Sequence, residues 1–147
     1  MNSILNFLKP ITRSRWNMEA LLKADKLLKQ HKLIEAVAEY SSTIRKLQTS
    51  GPEQVLSSAF NNRGQCHYLQ VEFYKAIDDY TDSLKYNPIN TTALYNRAQV
   101  QYRLNFFSEA RKDILKALEI SPDFKDAKSC LEAIEYAVSN KACPKET

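Results

Sequence analysis

The residues with the clearest binding chemistry are two Asn-Arg pairs that recur 34 residues apart, Asn62-Arg63 and Asn96-Arg97. The first lies in FNNRGQCHYLQVEFYKAIDDY and the second in LYNRAQVQYRLNFFSEARKDI. A side-chain amide can bond both the C=O and the N–H of an extended peptide. Adjacent residues on a helix diverge by about 100°, so the two members of each pair face different directions. We expect the asparagines to lie beside a groove, where an amide can serve a ligand or the neighbouring helix. The arginine stems should pack, and their heads should reach nearby acids or carbonyls.

Residues that could support catalysis are present, but not in catalytic arrangements. His31 and His67 have no serine or cysteine partner in a recognisable nucleophile context. We expect His31 to be solvated in a turn and His67 to pack. Asp78, Asp79 and Asp82 lie along one predicted helix, and the simplest interpretation is a solvated outer face. With two glycines in the whole chain there is no glycine-rich phosphate loop, so we predict no enzymatic activity.

The three cysteines do not form a metal or disulfide pattern. Cys66, Cys130 and Cys143 are an odd number, with no C-x-x-C and no histidine at ligand spacing. This usage predicts a reduced intracellular chain with no zinc site and no cofactor. We expect Cys66 to be buried and inert, and Cys143, in a polar tail, to be the freely reactive thiol.

Composition favours one helical domain that does not bind nucleic acid. The chain has 147 residues, 44% of them hydrophobic and 26% charged, with abundant Ala, Leu and Lys. The net charge of +4 is uneven, because residues 1–16 hold three of the 21 basic residues and none of the 17 acidic ones. The nearly neutral remainder lacks the clustered Lys and Arg of a nucleic-acid surface.

The 34-residue period organises most of the chain. Residues 57–90 and 91–124 form two matching units with small residues at Gly64, Ala76, Ala98 and Ala110, and a degenerate unit lies upstream. A period of this length resembles the tetratricopeptide repeat, a helix-turn-helix unit. The resemblance implies an all-α solenoid of three helical pairs and a capping helix, seven helices wound into a right-handed superhelix. The predicted divisions are a leader (1–16), repeat 1 (17–50), an insert extending the next helix (51–56), repeat 2 (57–90), repeat 3 (91–124), a capping helix (125–140) and a tail (141–147).

The resemblance also implies a binding surface, because the first helix of each pair lines the concave side in such solenoids. Amides and tyrosines dominate that side of repeats 2 and 3, and tyrosine offers a rigid apolar plate with a polar tip. An alternative is that the tyrosines fill the repeat junctions. We expect function to reside where the two copies differ, at Asn61 against Tyr95 and at Leu69 against Arg103. The predicted groove residues are Asn61, Asn62, Gln65, Tyr68, Tyr95, Asn96, Gln99, Tyr102 and Arg103.

One family subtype is not expected here. Some members hold the C-terminal carboxylate of a chaperone between Lys and Asn of one repeat, Asn of the next, and Lys and Arg of the third. The matching positions in this sequence are Leu21 and Asp25, then Asn62, then Thr92 and Asn96. No cation is present, and Asp25 would repel a carboxylate.

Residues 1–16 allow several interpretations. Their apolar residues would share a helical face without any acid, which fits a transit peptide or interfacial anchor, but Pro10 interrupts the helix. A plain leader, or a natural start at Met18, is the simpler alternative. We predict a cytoplasmic interaction module for a protein or peptide partner, or a mitochondrial one if residues 1–16 direct import. Any membrane contact would come through that segment. The rival hypothesis is a structural subunit packed permanently in a larger assembly through its ends or convex face.

Overall fold

The chain folds into helices throughout the part that the structure describes. The computed structural model describes residues 13–49 and 51–142, and the side chains of residues 18–49 and 51–140. The seven helices in this part are α1 (Arg13–Lys29), α2 (Leu33–Leu47), α3 (Glu53–Leu69), α4 (Phe73–Tyr86), α5 (Thr91–Arg103), α6 (Phe107–Ile120) and α7 (Lys125–Ala142). The predicted all-α class is therefore confirmed. Predictions that concern residues 1–12, Ser50 or Cys143 lie outside the described residues.

The helices pack as successive antiparallel pairs. α1 packs on α2, α3 on α4 and α5 on α6, each pair packs on the next, and α7 covers α6. The core runs along these junctions and contains small residues such as Ala36, Ala76 and Ala110 beside the large Tyr40 and Tyr80. The small side chains let two helices approach closely, and the large ones fill the space that remains.

Helix α1 begins earlier and α7 ends later than the predicted divisions. Helix α1 begins at Arg13, four residues before the expected start of repeat 1, because no helix breaker separates Arg13 from the repeat. Helix α7 ends at Ala142, and its 18 residues exceed the 14 of α6. Its last turn therefore extends past the helix it packs on. The sequence predicts one apolar stripe along this helix, formed by Ala127, Cys130, Leu131, Ile134 and Val138. The extra length of α7 explains why Val138, at the far end of that stripe, is exposed.

The turn inside each helical pair uses a left-handed residue at the same position. These residues are His31, Val71 and Asn105, with φ of 56°, 62° and 63°. Histidine and asparagine adopt this conformation more readily than most residues, but a β-branched valine is strained there. Val71 is also 68% exposed, so burial does not offset the strain.

Repeats 2 and 3 fill the space between their paired helices with different pairs of side chains. A Cβ atom added to Gly64 would lie 2.8 Å from Cε1 and 3.0 Å from Cδ1 of Tyr80. At the matching positions of repeat 3, Ala98 replaces the glycine and Ile114 replaces the tyrosine, and both side chains are fully buried. The glycine therefore makes room for the larger ring.

Candidate functional site

The two arginines of the repeated Asn-Arg pairs are structural. The Nε and Nη2 atoms of Arg63 donate to the Asp79 carboxylate at 2.8 and 2.6 Å, and its Nη1 donates to Ser41 Oγ at 3.0 Å. The carboxylate raises the pKa of Arg63, against the opposing effect of burial. The predicted packing of the arginine stem with its head on an acid is confirmed. The prediction of a solvated Asp79 is wrong, because this ion pair buries it between α3 and α4.

Repeat 3 builds the same contact again. Arg97 donates from Nε and Nη2 to Asp113 at 2.7 Å each, and from Nη1 to Thr81 Oγ1 at 3.0 Å. Each arginine thus joins three helices: its own, the second helix of its own pair and the second helix of the preceding pair. In repeat 1 the matching residues are Lys23 and Glu39, which also pair but remain 63% and 30% exposed. Among the described residues, no helix pair precedes them to cover this contact.

The predicted groove asparagines form a hydrogen-bonded row across the three repeats. Asn96 Nδ2 donates to Asn61 Oδ1, Asn61 Nδ2 donates to Asn62 Oδ1, and Asn62 Nδ2 donates to Asp25 Oδ1, at 3.0 to 3.1 Å. Tyr40 OH donates to the same oxygen of Asp25. Burial and then this bond to Asp25 raise the pKa of Tyr40. These amides therefore serve the neighbouring helices, one of the two roles considered for them.

The other predicted residues largely gather around a single pocket of about 480 Å³. It lies between the first helix of repeat 3 and the capping helix. Five predicted residues line it, whereas Gln65 and the three asparagines of the row do not. The five are Tyr68, Tyr95, Gln99, Tyr102 and Arg103.

The pocket tyrosines both pack and line the site. Tyr68 lies against Phe73 and Tyr102 against Phe107, with ring centroids 5.9 and 5.5 Å apart, across the helix junctions of repeats 2 and 3. Each ring therefore has one side held by a neighbour and is pre-positioned. The two sequence-based alternatives, ligand contact and junction packing, are compatible at this site.

Tyr95 is fixed by two further contacts. Its ring lies 5.1 Å from that of Phe124, and Gln99 Nε2 donates to its hydroxyl at 2.9 Å. Burial and then the nearby charge of Asp126 raise its pKa, so the phenol stays protonated and able to donate at neutral pH. Tyr95 replaces Asn61 of the preceding repeat, one of the two differences between the copies that the sequence singled out.

Helix α7 supplies the wall of the pocket that sequence reasoning missed. Its contribution is Asp126, Ser129, Cys130 and Ala133, a spacing of three, four and seven residues that places them on one helix face. That spacing was visible in the sequence. However, Cys130 was assigned to the apolar stripe of α7 and no role was predicted for the other three, because the rotation of α7 relative to α5 is a tertiary property.

Other chemically competent side chains do not form a second site. His67 Nδ1 lies 2.6 Å from Glu72 Oε2 and its side chain is 11% exposed, which agrees with the predicted packing histidine. Cys66 is fully buried as expected, and burial raises its pKa to about 11. Within residues 13–49 and 51–142, no three His, Cys, Asp or Glu side chains are arranged to hold a metal ion. Nor does any helix there have the length and apolar character to cross a bilayer.

Comparison with known sequences agrees with the repeat pattern. The family model of the tetratricopeptide repeat matches residues 91–124. Sperm-associated antigen 1 of Rattus norvegicus is 32% identical over 106 residues, and its Mus musculus counterpart is 31% identical over the same length. These alignments cover 72% of this chain but span only 11% of the length of either relative.

Comparison with solved structures establishes the fold. The first TPR domain of Spaghetti (RPAP3), solved with the HSP90 peptide SRMEEVD, superposes with a TM-score of 0.77 at 24% identity, covering 89% of this chain and 99% of that one. The first TPR domain of human RPAP3 gives 0.75 at 25% identity, covering 86% and 94%. The helical pairs, their packing and the matched third repeat lead to one conclusion: the chain is an all-α solenoid of the tetratricopeptide-repeat type.

Proposed function

We propose that this chain is a non-enzymatic interaction module that binds an extended peptide segment of a protein partner on its concave face. The observation that carries the proposal is the pocket between α5 and α7, where three pre-positioned tyrosine rings surround polar groups. Rigid aromatic side chains with polar tips supply contact area at low entropic cost. The solenoid of similar fold that was solved with a bound peptide supports this use of the fold.

A C-terminal carboxylate held in the manner of the chaperone-binding subtype does not fit the proposed site. Asn62 is the one matching asparagine of the second repeat, and its amide donates to the carboxylate of Asp25 at 3.0 Å. The chain's own carboxylate therefore takes one of the two N–H donors of this amide and places a negative charge beside the other, where a ligand carboxylate would be repelled. We accordingly place the ligand further along the groove, at the pocket.

The proposal is tested by selecting from a random peptide library on the folded chain. Ala133 is a half-buried pocket residue, so Ala133→Phe should fill the site. Lys116→Phe, which adds the same ring at an exposed position of α6, is the matched control. Peptides enriched on the parent chain should bind Lys116→Phe unchanged and lose binding to Ala133→Phe, with both variants retaining their helical circular dichroism. Peptides that bind all three chains equally would contradict a pocket site.

The structural-subunit hypothesis is favoured by apolar side chains exposed at both ends of the described stack. Met18 and Leu22 on α1 are 50% and 59% exposed, and Tyr136 on α7 is 72% exposed. Terminal helices of a solenoid normally present a polar outer face. If this second candidate is correct, replacing these residues with Ser should abolish assembly with the partner, and Ala133→Phe should leave it intact.

Two finer proposals come from the sequence alone. The combination of NNRGQ, EFYKAIDDYTDSL and YNRAQVQYRL resembles tetratricopeptide repeat protein 32, a small repeat-only member of the family. We also propose a cytoplasmic location, with mitochondrial import as the alternative if residues 1–16 are a transit peptide. Imaging of the full chain beside a chain starting at Met18 separates the two locations, because only the full chain would enter mitochondria.

A further inference from the structure

Two opposite charges line the pocket, and neither forms an ion pair with another described residue. Arg103 is exposed at the end of α5, and Asp126 is exposed in the first turn of α7. They do not pair with each other either. Some other exposed charges of the described chain do pair, as Arg111 does with Glu135 at 2.6 Å. The pocket therefore presents one available anion and one available cation.

The two charges act on different tyrosines of the pocket. The Arg103 guanidinium lies over the ring of Tyr68, 5.4 Å from its centroid, whereas Asp126 is close enough to Tyr95 to act on its phenol. Tyr95 and Arg103 are eight residues apart on α5, which is about 12 Å at 1.5 Å per residue. Asp126 thus lies toward one end of the pocket and Arg103 toward the other.

The space between the charges suits an apolar side chain. The rings of Tyr95 and Tyr102 and the methyl group of Ala133 line it, and Gln99 is already bonded to the Tyr95 hydroxyl. An extended peptide advances about 3.3 Å per residue, so about four residues span the stretch of α5 from Tyr95, which is near Asp126, to Arg103. Side chains on alternate residues of such a peptide point the same way.

We propose that the pocket selects an extended peptide that carries one basic and one acidic side chain about four positions apart, with an apolar or aromatic residue between them. Asp126 binds the basic side chain, Arg103 binds the acidic one, and the tyrosine rings cover the residue between. The inference rests on the proposed function and adds the charge pattern of the ligand to it. A peptide with two charges of the same sign meets one attractive and one repulsive group and binds more weakly.

Five fluorescein-labelled peptides test the charge pattern by fluorescence anisotropy. Their cores are Lys-Ala-Phe-Ala-Glu, the reversed Glu-Ala-Phe-Ala-Lys, Gln-Ala-Phe-Ala-Gln, Lys-Ala-Phe-Ala-Lys and Glu-Ala-Phe-Ala-Glu. One of the two mixed-charge orders should bind the parent chain most tightly. Each mismatched or removed charge should weaken binding about two- to fivefold, the range for partly exposed ion pairs.

Charge-reversal variants give the decisive test of the proposed charge pattern. Arg103→Glu should make the Lys/Lys peptide the best ligand, and Asp126→Lys should make the Glu/Glu peptide the best. Lys112→Glu carries the same charge change as Arg103→Glu on an exposed position of α6 and should leave the order of affinities unchanged. Circular dichroism checks that every variant is folded.

The outcomes separate this inference from the proposed function. Unchanged peptide preference in the two reversal variants overturns the charge pattern. If binding is then still lost in Ala133→Phe, the peptide-binding function stands without that pattern. If none of the five peptides binds, the inference is rejected, and if the library selection also yields no pocket-dependent peptide, the proposed function is rejected with it.

Discussion

Removing the carboxylate of Asp113 should destabilise the chain far more than removing the matching carboxylate of repeat 1. Asp113 is 7% exposed and accepts two hydrogen bonds from Arg97, whose side chain is 20% exposed. In Asp113→Asn the guanidinium charge stays in place without its counter-charge, and its hydrogen-bond partners are Thr81 and the single oxygen of the amide. Breaking a buried ion pair costs about 3–5 kcal/mol. Because Arg97 keeps hydrogen bonds to Thr81 and to the amide oxygen, and some water contact, we expect a loss of about 2–4 kcal/mol.

The repeat itself supplies the matched control. Glu39 pairs with Lys23 at the matching positions of repeat 1, but these side chains are 30% and 63% exposed. An exposed ion pair contributes about 0–1 kcal/mol, so Glu39→Gln should change the free energy of unfolding by less than about 1 kcal/mol. Both values can be measured by urea denaturation followed by circular dichroism. The dependence of the free energy of unfolding on urea concentration should have the same slope in every variant.

A double variant tests whether the loss comes from leaving the Arg97 charge without its partner. Replacing both partners, Arg97→Met with Asp113→Leu, removes the charges together and should be less destabilising than Asp113→Asn alone. Losses for Asp113→Asn and Glu39→Gln that agree within about 0.5 kcal/mol would refute the argument that burial sets the strength of these contacts.

Three further predictions concern packing, strain and pH. Gly64→Ala should lower the free energy of unfolding by about 1–2 kcal/mol in urea denaturation, because a clash with the fixed Tyr80 ring outweighs the gain in helix propensity. Adding Tyr80→Ile, which copies repeat 3, should restore stability. If stability does not recover, the size-matching explanation is contradicted. Val71→Asn, which copies the residue of the matching turn, should raise the free energy of unfolding by about 1 kcal/mol by removing strain at φ 62°, and a decrease would show that Val71 is not strained. Burial raises the pKa of Cys66 to about 11, so from about pH 9 the unfolded chain loses a thiol proton that the folded chain keeps, and stability should fall as pH rises. The fall should be shallower in Cys66→Ala, and identical pH profiles for the two proteins would exclude Cys66 as a cause.

Much of the fold could be predicted because its determinants are local and periodic. The 34-residue offset between Arg63 and Arg97 identified two equivalent helical pairs. The small residues at Gly64 and Ala98 indicated where the helices of each pair approach. The resemblance to the repeat family indicated which positions of each first helix face the concave side, which is how Tyr68 and Tyr102 were predicted to lie there. The full extent of α1 and α7 was missed, since helix ends depend on what a neighbour covers.

The candidate site was predicted only in part, because a site combines residues from several helices. Tyr95, Gln99 and Arg103 lie on one helix, and their common face follows from the 3.6-residue period. Asp126 and Cys130 face them only because α7 packs on α6 at a particular rotation. The same limit applies to Asp79, which appeared to belong to a solvated acidic face until its partner on α3 was known.

By itself, the sequence determined the repeat unit, the number of helices and the candidate residues along each helix, because these depend on spacing within about one turn or one period. The tertiary structure decided which of those side chains are free to bind. It committed Asn61, Asn62 and Asn96 to a row of internal hydrogen bonds and left Arg103 and Asp126 available at one pocket. The physical reason is that a hydrogen-bonding group can serve a ligand only after the contacts between helices have been satisfied, and those contacts join residues far apart in the chain.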